Sequence, residues 1–323
     1  MELLNGYQQT YALRAALELD LFTLIAEGAE TPAALAASLD ASERGVRVLC
    51  DYLAVCGLLT READGAYLLT RDSRLFLDRR SPGYLGASAA FLANDGMIAL
   101  FRDLAATVRR GGADGPGTLA PDDPVWVEFA RSMAPMVAMQ AETVARRLPA
   151  MGRPPTVLDV AAGHGLFGLA IAQHNPEARI VAVDWEPVLE VARENAAAVG
   201  AEDRYRTIAG SAFDVDLGSG YDVILLPNFV HHFDPPSNLR LLRRLRDAIA
   251  PDGVLATIEF VPDESRVTPP VPAAFALTML GTTPGGDAYT FSELDALFRE
   301  AGFGESRMQD LEPTAHRLIL TSP

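Results

Sequence analysis

A glycine-rich turn set between two carboxylates is the part of this chain whose residue types and spacing can do chemistry. Gly163-His-Gly165-Leu-Phe-Gly168 follows a β-branched, apolar run over residues 156–161 and precedes a helical pattern beginning near Leu166. Glycines at such a strand-to-helix junction let the backbone turn tightly and approach a ligand closely. A second apolar run, Ile180-Val-Ala-Val-Asp184, ends in an acid, placed where the second strand of a Rossmann-like βαβ unit presents a carboxylate to ribose hydroxyls. The pattern therefore implies a nucleoside-containing cofactor. The glycines, with an acid about 20 residues on, also satisfy the dinucleotide fingerprint. Two features favour S-adenosylmethionine over NAD. Asp159 lies inside the first strand near its carboxyl end, where an acid meets a cationic amino-acid moiety but repels a pyrophosphate. The motif also lies mid-chain, and the C-terminal half holds only one such unit.

The elements that must position these groups follow in order. Residues 205–210, 221–226 and 253–260 are further strand candidates separated by helical stretches, an alternating α/β pattern. Beyond Ala301-Gly-Phe303, residues 305–311 and 316–321 are separated by only Glu312-Pro-Thr-Ala. Parallel strands cannot be joined by so short a link, so a terminal hairpin is expected. A mostly parallel, Rossmann-like sheet closed by an antiparallel last strand resembles the class I methyltransferase fold.

Residues before about Ala150 form a different, mostly helical unit. An apolar-periodic helix is expected over residues 3–19, followed by Leu21-Phe-Thr-Leu-Ile25. Thr31 places a capping hydroxyl before Pro32, and Ser42-Glu-Arg-Gly starts a helix through Val46, Leu49, Leu53 and Leu58. Residues 59–62 and 66–69 flank the turn Ala63-Asp64-Gly65. Helices followed by a small hairpin read as a winged helix. Such domains often bind DNA, but the candidate recognition helix mixes Glu43, Arg44, Arg47 and Asp51 and carries no basic stripe. An apolar first helix packing across a two-fold axis, and hence a homodimer, is the favoured reading; capping of its own domain is the alternative. The expected organisation is a winged-helix dimerisation domain over 1–110, a linker and substrate-facing helix over 111–150, and a cofactor-binding catalytic domain over 151–323. On the linker helix Trp126 leads, and Phe129, Met133 and Met136 follow at helical spacing on one face, where the methionines adapt to a planar organic substrate.

Composition bounds the partners. Acidic side chains number 43 against 27 basic ones, a formal charge of −16, which opposes nucleic acid and anionic membrane but not a cationic sulfonium. Cys50 and Cys56 sit in an apolar helical pattern and read as buried thiols in a reducing cytoplasm. No basic leader precedes an apolar run, and no stretch reaches membrane-spanning length. A cytoplasmic enzyme with no metal is expected.

The whole chain resembles the small-molecule O-methyltransferases typified by plant caffeate, acetylserotonin and bacterial polyketide-tailoring enzymes. The resemblance rests on the winged-helix unit, Leu158-Asp-Val-Ala-Ala-Gly-His-Gly165, Asp184 before Trp185-Glu-Pro187, Asn228-Phe-Val-His-His-Phe-Asp234 and Ala301-Gly-Phe303, in that family's order. It implies methyl transfer from S-adenosylmethionine to an aromatic hydroxyl, with His231 as general base and Glu259 orienting it. It implies a cofactor site drawn from Asp159, Gly163, Gly165, Asp184 and Trp185, with Ser211, Ala212, Phe213 and Asn228. The acceptor pocket would add His232, Phe275 and Met279, and Phe91 and Met97, to the linker-helix residues. Side chains one residue apart on an α-helical turn diverge by about 100°, so His231 and His232 are not expected to face one substrate oxygen together. Departures from the pattern are Ala288 where a second histidine-orienting acid would fall, with Asp287 beside it, Pro227 in place of a lysine, and Ser211 in place of an aspartate. C- or N-methylation, a cofactor-binding protein that transfers no methyl, and a metal held by His231, His232 and Asp234 are the alternatives.

Overall fold

Local capping chemistry builds the first of two units. The computed structural model describes residues 3–115, 124–150 and 152–323, so Met1, Glu2 and the end of the glycine-rich stretch 111–117 lie outside the described residues. Backbone packing divides the chain into residues 1–95 and 96–323. A short turn over Leu3–Asn5 leads into α1 (Gly6–Glu18), and α2 (Leu21–Ala26) follows. Thr31 Oγ1 accepts from Ala34 N at 3.2 Å ahead of α3 (Pro32–Leu39), and Ser42 Oγ accepts from Gly45 N at 3.4 Å ahead of α4 (Glu43–Val55). The Asp64-Gly65 turn joins antiparallel β1 (Leu59–Arg61) and β2 (Tyr67–Leu69), with Gly65 at φ +90°. Short helices α5 (Arg71–Phe76) and α6 (Ala89–Leu92) complete the unit.

Phe22, Leu35, Leu53 and Tyr67 fill its core, and the Tyr67 hydroxyl donates to Asp51 at 2.6 Å. Asp51 also pairs with Arg47 at 2.7 Å and Arg61 at 3.0 Å. Arg47 and Asp51 of the candidate recognition helix are thus engaged within the unit. Leu3, Leu4 and Tyr7 are 98%, 76% and 60% exposed on this chain, an apolar face at the chain end. Cys50 is buried and Cys56 partly so.

In the second unit, α7 (Asp95–Ala99) bridges the boundary and α8 (Leu104–Arg110) and α9 (Val125–Arg147) precede the sheet. Then come β3 (Thr156–Val160), α10 (Leu166–His174), β4 (Arg179–Asp184), α11 (Glu186–Ala198), β5 (Tyr205–Ala209) and β6 (Tyr221–Pro227). The chain closes with α12 (Pro235–Ala248), β7 (Ile249–Glu259), α13 (Pro270–Thr282), α14 (Phe291–Glu300), β8 (Ser306–Asp310) and β9 (Arg317–Thr321). The order is β5-β4-β3-β6-β7-β9-β8, with β9 antiparallel between β7 and β8. The sheet and terminal hairpin expected from the sequence are both present. Strand β7 begins earlier than the sequence suggests, at Ile249, because Ile249 pairs with Tyr221 across a register shift.

Strand alternation assigns the faces. Val157 packs toward α9, α10 and α11, while Leu158 and Val160 pack toward α12 and α14. Asp159 shares the Val157 face and lies beneath α10, where its Oδ2 accepts from Gly168 N at 3.0 Å. Because β3, β4, β6 and β7 are parallel, the glycine turn, Asp184, the 228–234 stretch and Glu259 all emerge at one edge. Chain order reverses direction around β3, and such a switch point opens a crevice for ligands.

Gly165 sits at φ +74°, and a Cβ there would fall on the buried Tyr205 hydroxyl. Gly165→Ala is expected to destabilise the chain by about 2–4 kcal/mol through clash and left-handed strain. Adding Tyr205→Phe removes the clash but not the strain, so denaturant unfolding should show partial recovery; full recovery or none would contradict this account.

Candidate active site

Asp184 organises the glycine turn. Its Oδ2 accepts from Gly163 N at 2.8 Å and its Oδ1 from Trp185 N at 2.7 Å. Burial pushes the Asp184 carboxyl up to about 6, against the pull of those two N–H groups. Asp159 is fully buried and pushed up to about 8, chiefly by burial, opposed by the Gly168 N–H and reinforced by Asp184. Its Oδ1 has no hydrogen-bond partner among the described residues, nor has the buried Asn228 Oδ1. Asn228 sits at φ +52° and its N–H closes the sheet on Ile258 O at 2.8 Å.

Ser211 Oγ accepts from Phe213 N at 3.1 Å, setting the turn that carries buried Ala212 and half-buried Phe213. Phe213 lies edge-to-face with Phe233 at 4.9 Å, with the Arg240 guanidinium 4.8 Å from its ring centre. Trp185 turns toward α9, where it joins Trp126 and Val127 around Ala130, Val188 and Val191. A Cβ on Gly163 would meet nothing closer than the Phe129 ring at 3.8 Å. These residues fit S-adenosylmethionine: two carboxylates and an unpartnered amide oxygen suit its cationic and hydroxyl groups, and an aromatic ring suits adenine. The Asp184 carboxylate would oppose a pyrophosphate.

The residues after β6 form a single tight turn, Val230–His232. Glu259, at the end of β7 and 3% exposed, grips it from one side. Its Oε1 accepts from Phe229 N at 2.9 Å, Val230 N at 2.9 Å and His231 N at 3.4 Å, and its Oε2 meets His231 Nδ1 at 2.6 Å. A carboxylate can only accept, so Nδ1 carries the hydrogen and Nε2 presents a lone pair. Asn238, fully buried in the first turns of α12, donates to Val230 O at 2.9 Å and Phe233 O at 3.1 Å, and Tyr289 donates to Phe233 O at 2.5 Å. Neither Asn238 nor Tyr289 was expected; the one sequence signal for Asn238 is its place one turn after the cap Asp234.

The ring centres of His231 and His232 are 4.3 Å apart, but their neighbours differ. His231 meets the edge of Phe275 at 4.8 Å, whereas His232 meets Trp126 at 5.4 Å and Phe229 at 6.4 Å. Burial, with His231 adding repulsion, holds His232 well below the usual imidazole range. Trp126 also meets Phe129 at 5.8 Å, and Phe129 stacks on His164 at 6.3 Å. His164 is buried and structural: Nδ1 accepts from Leu166 N at 3.2 Å, and burial pulls it down to about 4. Met279 is buried and Met133 partly so, but Met136 is 39% exposed. Phe91 belongs to the first unit and Met97 to the second. Asp234 caps α12 through Ser237 N at 2.9 Å, Ala288 is fully buried, and Pro227 ends β6 opposite Ile258.

Comparison with known proteins identifies the family. Residues 101–304 match the O-methyltransferase domain and residues 1–79 the O-methyltransferase dimerisation domain. The chain belongs to the O-methyltransferase family. It is 29% identical over 316 residues to the mitomycin biosynthesis 6-O-methyltransferase of Streptomyces lavendulae, covering 95% of this chain and 88% of that protein. It is 27% identical to the 3-hydroxy-5-methyl-1-naphthoate 3-O-methyltransferase of Streptomyces sahachiroi, covering 95% and 89%. The crystal structure of a candidate O-methyltransferase from Nostoc punctiforme superposes with a TM-score of 0.96 at 47% identity, covering 100% of this chain and 97% of the other. As an O-methyltransferase, this chain uses S-adenosylmethionine as its methyl donor. No helix among the described residues is long and apolar enough to cross a membrane.

The protonation of Asp159 has a measurable consequence. Its folded value of about 8 lies above an unfolded value of about 4. Between these the folded chain holds a proton that the unfolded chain has released, so the stabilisation is complete below about pH 4 and lost as pH rises through 8. The melting temperature of the cofactor-free O-methyltransferase is expected to fall by on the order of 5 °C from pH 6 to 8.5 relative to Asp159→Asn. Parallel pH profiles for the two proteins would show that Asp159 is already ionised when folded.

Proposed function

We propose that this O-methyltransferase methylates an aromatic hydroxyl of a small molecule, with His231 as the general base. The observation that carries the reading is the buried His231 Nδ1–Glu259 Oε2 hydrogen bond of 2.6 Å, which leaves Nε2 free to take a proton. A phenol with pKa near 10 is only about 0.1% ionised at pH 7, so proton removal as the methyl moves is worth roughly 10²–10⁴ in rate. S-adenosylmethionine supplies the electrophilic methyl carbon. Asp159, Asp184, Phe213 and Asn228, with the backbone at Gly163 and Gly165, hold that donor at the end of β3. Burial and the neighbouring His231 disfavour protonated His232, and with Trp126, Phe129, Phe275 and Met279 it bounds the acceptor. The name of the Streptomyces sahachiroi relative, a 3-hydroxy-5-methyl-1-naphthoate 3-O-methyltransferase, supports the same acceptor class.

The first unit serves as a homodimerisation module. Support comes from its match to the dimerisation domain and from the apolar face of Leu3, Leu4 and Tyr7.

Glu259→Gln tests the base assignment. The Gln oxygen would still accept the three backbone N–H groups, but its amide would donate to His231 Nδ1 and force the hydrogen onto Nε2. The turnover of whichever phenol the wild type accepts is expected to fall by about 10²–10⁴, with titration calorimetry showing unchanged S-adenosylhomocysteine affinity. A near-normal rate in this variant would sink His231 as base.

A further inference from the structure

We propose that the loop Gly285–Ala288, tied down by Arg266, is a second positioning device for His231, acting through its backbone instead of its ring. The inference rests on the reading of His231 as base. Glu259 holds the N–H side of the histidine turn, and this loop holds the carbonyl side. Asp287 N donates to His231 O at 3.0 Å. Gly286 lies so close beneath the turn that a Cβ would fall on the His231 carbonyl oxygen and beside the His232 carbonyl carbon. Gly286 is held there because its N–H donates to Thr283 Oγ1 at 2.8 Å, while Thr283 donates to Met279 O at 2.8 Å at the end of α13.

The loop's outer side is fixed by charge. Asp287 Oδ1 accepts from Ala288 N at 2.8 Å, and Oδ2 accepts from Arg266 at 3.2 Å. Arg266 also reaches Ala288 O at 3.4 Å and pairs with Glu293, whose other oxygen accepts from Thr290 N in the cap of α14. One guanidinium therefore ties the loop to α14, and its planar fork of donors suits that bridging better than an ammonium. Arg266 lies in the segment leading out of β7, whose last residue is Glu259. Both grips on the histidine thus issue from the end of one strand. Ala288, where the family pattern places a second acid, is fully buried and contributes no charge; the backbone grip stands in its place.

A misplacement on the order of 1 Å can cost about 10² in rate. Gly286→Ala removes no polar group and needs no positive φ, yet its methyl must push the His231 carbonyl away. Its kcat should fall about 100-fold with the S-adenosylhomocysteine dissociation constant unchanged. Arg266→Ala and Asp287→Ala should each lower kcat about 10-fold, the double variant no further, and Arg266→Lys should recover part. In the alanine variants the fall should be in kcat with the acceptor KM little changed, because a loosened turn misplaces the base and leaves the pocket walls where they are. Circular dichroism reports whether each variant folds, and a role in folding alone would show as lost structure and not as a slower, fully folded enzyme.

His231→Ala, assayed alongside, separates the two ideas. If it keeps the wild-type rate, the base assignment fails and the positioning role with it. If it is inactive while Gly286→Ala, Arg266→Ala and Asp287→Ala turn over normally, only the positioning role is overturned.

Discussion

The active edge of this O-methyltransferase depends on one buried carboxylate. Glu259 accepts three backbone N–H groups and the His231 ring nitrogen, and each bond answers a cost that the fold would otherwise incur. An ionised carboxylate at 3% exposure is tolerable only when its oxygens are satisfied, and three N–H groups leaving a sheet edge need an acceptor. The two needs cancel because β6 and β7 are parallel neighbours in register, Pro227 opposite Ile258. Asn228 N makes the last sheet bond, and the following amides turn onto Glu259. The position of the histidine is therefore inherited from sheet register, the least deformable property of the unit.

Charge is arranged with comparable economy. His164, His232 and His316 are all held below the usual imidazole range by burial, which disfavours a positive charge on any of the three. The acidic groups do the reverse. Asp159 and Asp184 are raised by burial, and a cation brought nearby favours their ionised forms. The glycine turn thus rests on two acids whose ionised forms a nearby cation would favour.

Elements with local causes were legible in the sequence. Thr31 and Ser42 cap helices as their types dictate, Asp64-Gly65 turns a hairpin, and Ile180 to Asp184 forms a strand ending in an acid. The four-residue link after Leu311 correctly forced an antiparallel ending. What the sequence concealed depends on the third dimension. Asp159 was legible as an acid at a strand end, but strand alternation and the proximity of Gly168 turn it under α10. Trp185 was legible as a neighbour of Asp184, but the apolar surface of α9 draws it sideways. Asn238 and Tyr289 hold carbonyl groups of the histidine turn from elements whose pairing no local pattern announces. Met136 has the periodicity of a pocket residue and yet stays 39% exposed, since helical spacing fixes a direction but not what lies there.

The wall beside His231 accounts for the missing second acid. Phe275 meets the His231 ring at 4.8 Å and packs at 4.3 Å on Phe260, which lies 3.8 Å from the His316 ring. This column leaves little polar surface on that side of the imidazole. A second carboxylate at the buried Ala288 position would need donors of its own, and the nearest cation, Arg266, already bridges Asp287 and Glu293. Backbone N–H groups orient a turn without adding a charge that must itself be neutralised. An aromatic wall beside His231 and a glycine beneath its carbonyl are therefore compatible: the apolar packing disfavours an acid there, and the absent side chain lets a neighbouring loop approach the turn.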